Sequence, residues 1–296
     1  MSTVPPRIFD RAAYQARRQR AARSAGDVFL AEEAAAQVAY RVGAVNRRFQ
    51  RALDVQSRAR TFPLLQPLAE AWVRTGFAAD APAVVADEEA LPFADASFDL
   101  VTSVLSLQTV NDLPGVLVQI RCVLKPDGLF LGALLGGDTL NELRHSFAAA
   151  EEATLGGASP RVAPFADVRD AGALLQRAGF ALPVADVERT RVQYRDLMRL
   201  FDDLRALGET NALANRRTSF LSRRTLDALV REYRACFPTT DDTFPATFDI
   251  VYLTGWAPHE SQQKPLSPGS AQTRLADALG TVEHKAGDTV PPQQKH

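Results

Sequence analysis

Three short apolar runs and one helix-length stretch constrain this chain more than any other feature. The runs are Ala83-Val84-Val85-Ala86, Phe98-Asp99-Leu100-Val101 and Leu129 to Leu135. Turn-forming or acidic residues bound them: Asp87-Glu88-Glu89 after the first, Ala94-Asp95-Ala96-Ser97 before the second, Lys125-Pro126-Asp127-Gly128 before the third. Short continuous apolar runs with such borders read as buried strands. The stretch from Leu113 to Leu124 between the second and third reads as a helix. Strand, crossover helix, strand implies a parallel sheet, because parallel neighbours need a long connection. Ligands of open parallel sheets sit beyond the carboxyl ends of the strands. Asp87 and Glu88 stand there. An acidic side chain followed by exposed backbone groups can receive the amino group and ring nitrogen of an adenine. The same residues also read as a solvated loop.

Upstream, Phe49 to Val55 reads as the first strand, with Asp54 at its end. A nucleotide-binding turn after such a strand needs glycine, so that the backbone can adopt positive φ and approach the ligand. Here the turn is Gln56-Ser57-Arg58-Ala59-Arg60, without glycine. Arg58 and Arg60 suit an anion, or are surface residues. Asp54 and Asp87 are 33 residues apart. One βαβ unit takes about 30 residues, so the first half of the sheet is expected to be truncated. The expectation is a helix over Leu64 to Arg74 and a remnant second strand over Thr75 to Ala79. Asp80 is then the acid nearest to where ribose hydroxyls would bind, although Ala79-Asp80-Ala81-Pro82 is also a plain turn.

Helices are expected from Arg7 to about Ser24, over Ala31 to Val42, after Gly136 to about Ala153, over Ala166 to Gly179, Asp196 to Leu207 and Ser222 to Phe237. Strands are expected over Phe180 to Tyr194 and Thr247 to Trp256. Thr139 and Glu142 have capping-box spacing. Gly136, Gly137 and Asp138 follow a strand end and would line the mouth of a pocket. The polar cluster Gly208-Glu209-Thr210-Asn211 with Asn215-Arg216-Arg217 either contacts substrate or caps a helix. Beyond Pro258 the composition is that of a disordered tail. The chain thus divides into a basic helical extension (1–45), an α/β domain (46–258) with a helical insertion at about 195–240, and a tail (259–296).

Composition sets the limits. The 46% apolar and 23% charged residues are those of a soluble globular chain. There is no uncharged apolar run of about 18 residues. The two cysteines, Cys122 and Cys236, match no metal or redox spacing. Residues 1–60 hold twelve arginines against five acidic residues, on an otherwise acidic chain. A basic arm of this kind suits an acidic partner or a membrane surface. Its Arg-rich, acid-poor start also has the look of a transit peptide; the reading preferred here is a structural helix. The near-neutral whole and the absence of a recognition motif argue against nucleic acid.

The series ADEEALPF, FDLV and LKPDG resembles the class I S-adenosylmethionine (SAM) dependent methyltransferases. Further strings narrow the resemblance: Ile8-Phe9-Asp10-Arg11, Ala52-Leu53-Asp54, Val110-Asn111-Asp112-Leu113-Pro114, Gly136-Gly137-Asp138-Thr139-Leu140, Gly208-Glu209 with Asn211, Asn215-Arg216, and Gly255-Trp256 with His259-Glu260-Ser261-Gln262. Together they resemble the methyltransferase-like assembly factors of respiratory complex I, which include a mitochondrial SAM-dependent arginine hydroxylase. The malonyl-carrier methyltransferases of biotin synthesis share the generic part.

The resemblance implies a class I methyltransferase (Rossmann-like) α/β sheet with helices on both faces, its last strand antiparallel and its first half shortened. It implies SAM as cofactor, with Asp54 and Asp87 in the site; Gln56, Ser57, Asp80, Glu88 and Ser103 are grouped with them. It implies a protein substrate, an arginine of a complex I subunit, with Gly137, Asp138, Glu209, Asn211, Asn215 and Arg216 as contacts. Location follows as cytoplasmic, or the mitochondrial matrix if eukaryotic. Three departures fall around the cofactor pocket: the QSRAR turn, the shortened second-strand region, and Gln108-Thr109 where the family has His-Trp. Catalytic residues are not legible. An iron-dependent hydroxylase would want two histidines and a carboxylate, and His145 and His259 could pair with Asp138, but no metal site is expected. Three readings stand: a SAM-dependent enzyme acting on a protein, a non-catalytic assembly module, and a small-molecule methyltransferase.

Overall fold

The computed structural model describes residues 7–77, 84–263, 277 and 280–281. It divides into a unit of residues 1–259 and a second of residues 260–296. Most of the second, the expected disordered tail, lies outside the described residues.

The first unit begins with helices α1 (Arg11–Ala22) and α2 (Phe29–Gly43). Seven strands follow: β1 (Phe49–Val55), β2 (Ala69–Gly76), β3 (Val84–Val85), β4 (Phe98–Val104), β5 (Leu124–Gly136), β6 (Ala181–Tyr194) and β7 (Phe244–Trp256). They form one sheet in the order β3-β2-β1-β4-β5-β7-β6. The first five are parallel, and β7 runs antiparallel to both β5 and β6. The other helices are α3 (Phe62–Leu65), α4 (Leu113–Val123), α5 (Asn141–Leu155), α6 (Val168–Arg177), α7 (Leu197–Leu207) and α8 (Arg223–Cys236).

Alternation along β5 assigns the two faces of the sheet. Leu129, Leu131, Ala133 and Leu135 join the core under α2, α5, α7 and α8. Phe130 and Leu134 join the core under α4 and α6. Central strands are covered on both sides, so every residue of β4 is buried and its sequence reads as a continuous run. Asp99 on β4 tolerates burial because its carboxylate accepts the Gln50 and Arg51 amides, each at 2.9 Å. Each fully buried leucine, Leu30 of α2 among them, contributes about 2 kcal/mol.

The shortened first half is present, but the shortening falls elsewhere than expected. Residues 64–74 are not a helix. Helix α3 is a single turn, Pro67 sits in a 3₁₀ turn, and Ala69–Gly76 is an eight-residue strand in register with β1. Pro67 cannot continue an α-helix from Leu64, because it lacks the amide and its ring clashes with the preceding turn. The lost part is the crossover helix; the second strand is whole. Asp80 lies outside the described residues.

The capping-box expectation also fails. Leu140 holds the cap position of α5 at φ 56° with no side-chain cap bond. Thr139 Oγ1 instead donates to Gly136 O at 2.7 Å and accepts the Asp249 amide at 3.0 Å. Glu142 accepts the backbone amide and hydroxyl of Thr247. The Thr-x-x-Glu spacing therefore ties the start of α5 to β7.

Candidate functional site

Strands β1, β3 and β4 end on a row of buried polar side chains. Asp54, Gln56, Ser57, Glu88 and Ser103 are all 0% exposed. Ser57 Oγ accepts the Val104 amide at 3.0 Å, and Ser103 Oγ donates to Val55 O at 3.0 Å, so both knit β1 to β4. Neither Asp54 oxygen has a hydrogen bond, and Arg74 Nε from β2 stands 3.5 Å away. Burial pushes the Asp54 carboxyl up to about 6, outweighing the pull of Ser57, Arg74 and Thr102. Gln56 sits at φ 61°, in the left-handed region. Its amide donates to Ala86 O at the end of β3, and its Oε1 has no partner.

Helix α1 covers this row. Arg11, Tyr14 and Arg18 recur at a spacing of three and four, so they share one helix face. All three are buried, Tyr14 and Arg18 almost completely. Arg11 donates to Asp87 Oδ1 at 2.8 Å, to Glu88 Oε2 and to Thr109 O. Arg18 donates to the Tyr14 hydroxyl at 3.0 Å and to Gln56 O at 2.9 Å. Tyr14 packs edge-on against Phe77, and Ala212 completes that small cluster.

Arg11 lowers both Glu88 and Asp87, but burial decides the outcome differently at each. Burial raises the Glu88 carboxyl to about 7 despite Arg11. Asp87 is less buried; the Glu89 amide and Arg11 hold it below the usual range.

Arg58 is a further cation of the region. It is buried, and its guanidinium donates to Leu207 O, to Leu105 O at 3.1 Å and to Glu209 Oε1 at 3.0 Å. Gln108 Nε2 adds a bond to the same Glu209 oxygen at 2.9 Å. Gly208 before it has φ +73°, and a Cβ there would lie 2.9 Å from Arg18 Cδ. Both the turn and the approach of α1 therefore require glycine at 208.

Glu209 also borders a cavity of about 300 Å³ beyond the end of β5. Its walls are apolar: Leu135, Leu140, Leu143, Phe147, Phe165, Phe201 and Leu204, with Phe9 and Thr109 at one side. Arg161 lines it too, but its charge is neutralised by Glu151, a buried carboxylate that also accepts from Ser159.

The residues singled out in the sequence are thus sorted. Asp54, Gln56, Ser57, Asp87, Glu88 and Ser103 gather at the strand ends. Glu209 and Asn211 line the cavity; Asn211 also donates to Pro160 O. Arg216 reaches back to Asp10, the N-cap of α1, at 2.9 Å. Asn215 borders a separate surface groove with Ile8 and Leu213. Asp138 is bound to the sheet, its amide donating to Asp249 and Arg189 bridging both carboxylates, while the Gly137 amide donates to Ala166 O. Asp138 therefore pairs with Arg189, while His145 bonds the Asn141 carbonyl of its own helix. Arg11, Tyr14 and Arg18 were missed; Arg58 was read as suiting an anion and Gln108 as a departure at the cofactor pocket, neither as a partner of Glu209. The spacing of Arg11, Tyr14 and Arg18 was the available signal for α1.

Sheet order, antiparallel β7 and polar residues at the ends of β1 and β3 define a class I methyltransferase domain, the SAM-binding class of this architecture. The Methyltransferase domain family model matches residues 26–132. The YcgJ protein from Bacillus subtilis has the same fold, with a TM-score of 0.52 at 14% identity over 75% of this chain and 98% of that one. The arginine-hydroxylase NDUFAF5, mitochondrial, of Danio rerio is 42% identical over 84% of this chain and 81% of its own length. The chain belongs to that arginine-hydroxylase family. A malonyl-[acyl-carrier protein] O-methyltransferase of Laribacter hongkongensis is 40% identical over 64% of this chain and 62% of its own. These arginine-hydroxylases are mitochondrial proteins by name, which overturns the plain cytoplasmic expectation and agrees with the mitochondrial alternative. Among the described residues, no helix is long and apolar enough to cross a membrane.

The acceptors for SAM are in place, but the room is not. Glu88 Oε1 is buried without a hydrogen-bond partner and the Asp54 carboxylate has Arg74 Nε at 3.5 Å, so both could accept a ligand's donors. The space before them holds Gln56 and the side chains of α1. With α1 docked, the site as folded does not fit SAM.

Proposed function

We propose that this protein acts on an arginine side chain of a protein substrate, a subunit of respiratory complex I, during assembly of that complex. The cavity beside Glu209 carries the reading. An arginine offers an apolar three-carbon stem and a cationic fork. The cavity offers apolar walls and one carboxylate at its rim. Arg58 already lies on Glu209 through its guanidinium, so this carboxylate suits that group geometrically. An apolar pocket here also suits the small-molecule reading. Glu209 already accepts from Arg58 and Gln108, so a cationic guest would share this carboxylate with them. The closed cofactor cleft favours a second reading, an assembly partner that binds the substrate arginine without modifying it. Peripheral contact with an anionic membrane falls to the outward-facing Arg20 and Arg23 of α1, which are exposed.

The test is co-expression with individual complex I subunits, followed by co-purification and mass spectrometry. The proposal expects one subunit to co-purify with wild type and not with Glu209→Gln. An added oxygen or methyl on one arginine of that subunit supports the enzyme; binding without a mass change supports the assembly partner. Equal co-purification with Glu209→Gln would sink the role of the cavity.

A further inference from the structure

The fold places SAM where this chain places its own side chains. Arg11 binds the two carboxylates, Asp87 and Glu88, that stand at the adenine end. Gln56 spans from the end of β1 to Ala86 O at the end of β3, across the line a ligand would follow. Arg18 seals the backbone of the same turn by donating to Gln56 O. Tyr14 fills the volume above it, fully buried against Phe77. At the adenine end SAM would offer an amino N–H to Asp87, and the Arg11 guanidinium now donates to that same carboxylate.

We infer that docking of α1 and binding of SAM are mutually exclusive in this protein. Helix α1 is a plug whose face Arg11, Tyr14 and Arg18 occupies the cofactor cleft, and SAM enters only when α1 leaves. Two features make departure feasible. The plug is anchored at its N-terminal end, by Arg216 on the N-cap Asp10 and by Asn111 on the Phe9 backbone, and this end can stay attached when the face lets go. Glu88 Oε1 is left without a hydrogen bond and Asp54 has Arg74 Nε at 3.5 Å, so both can take an incoming donor. The inference does not depend on arginine as the substrate, and its test reads SAM and α1 alone.

The experiment pairs calorimetric titration with SAM and hydrogen exchange of the α1 amides, on the full chain. Wild type is compared with Arg11→Ala/Arg18→Ala and with Gln56→Gly, each checked for a folded core by circular dichroism. Gln56→Gly leaves both arginines in place and relieves a left-handed backbone, so it serves if the double variant fails to fold. The expected result is at least tenfold tighter SAM binding in the variants, with faster α1 exchange whenever SAM is bound. SAM binding to wild type with α1 exchange unchanged would overturn the plug. So would variants that bind SAM no better than wild type.

Discussion

Two regions at the carboxyl edge of one sheet have opposite characters. The ends of β1 and β3 are charged and closed; the end of β5 is apolar and open. At the first, five buried polar side chains meet three buried residues of α1. At the second, aromatic and aliphatic walls surround a cavity with a single carboxylate at its rim. Charge explains the difference. A cluster of carboxylates in a cleft is stable only if ligand, water or cation pairs with it, and here the chain supplies arginines. An apolar cavity makes no comparable demand. Glu209 belongs to both regions, because Arg58 reaches it from the closed one.

The largest effect should come from removing the plug's filler. Tyr14→Ala deletes a fully buried ring and should cost α1 docking about 3–5 kcal/mol. Exchange of the α1 amides should rise toward that of a free helix while the sheet stays protected; loss of the whole fold would mean the two are not separable.

Next is Glu209→Gln, which leaves the Arg58 guanidinium buried without its anion. A loss of about 3 kcal/mol is expected in urea unfolding, together with loss of the arginine-bearing partner. An unchanged stability would show that the backbone carbonyls Leu207 and Leu105 satisfy Arg58 alone.

The pH response sharpens the closed side. Glu88 has its folded carboxyl raised from 4.5 to about 7. The folded chain therefore keeps a proton the unfolded chain releases, and the stability this confers is full below pH 4.5 and is lost as pH rises to 7. The difference in unfolding free energy between wild type and Glu88→Gln should fall across that window, by at most about 3 kcal/mol. A flat difference would place the Glu88 carboxyl near its ordinary value.

The smallest effect is Gln56→Gly. Relief of the left-handed backbone, about 1–2 kcal/mol, opposes loss of one amide bond, about 1 kcal/mol. Net stability should change by under about 1 kcal/mol, which makes this variant a clean probe of the cleft.

Most of the architecture was legible because burial on both faces writes itself as apolar runs. Strands β1, β4, β5, β6 and β7 were expected within a few residues, with the last one antiparallel. Residues 64–74 misled because Leu64, Leu65 and Leu68 suggest a helix, while Pro67 and the pairing of 69–75 with β1 decide for a strand. The acidic half of the site was also legible: Asp54, Asp87, Glu88 and Glu209 were all singled out. The basic half was not. An arginine is exposed far more often than buried, so Arg11 and Arg18 read as part of a basic arm, and Arg58 as an anion contact or a surface residue. Only their tertiary pairing with those carboxylates shows otherwise. Gly137 and Asp138 stood at a strand end, as a pocket mouth should, yet Asp249 and Arg189 claim Asp138 for the sheet and the Gly137 amide donates to Ala166 O.

One measurement bears most directly on the contrast between the regions: titration of wild-type protein with SAM while α1 exchange is followed. The account predicts weak binding that rises with α1 release, and a protected α1 whenever SAM is absent. Tight binding of SAM beneath a fully protected α1 would contradict it, because the cleft would then be open with its own arginines in place.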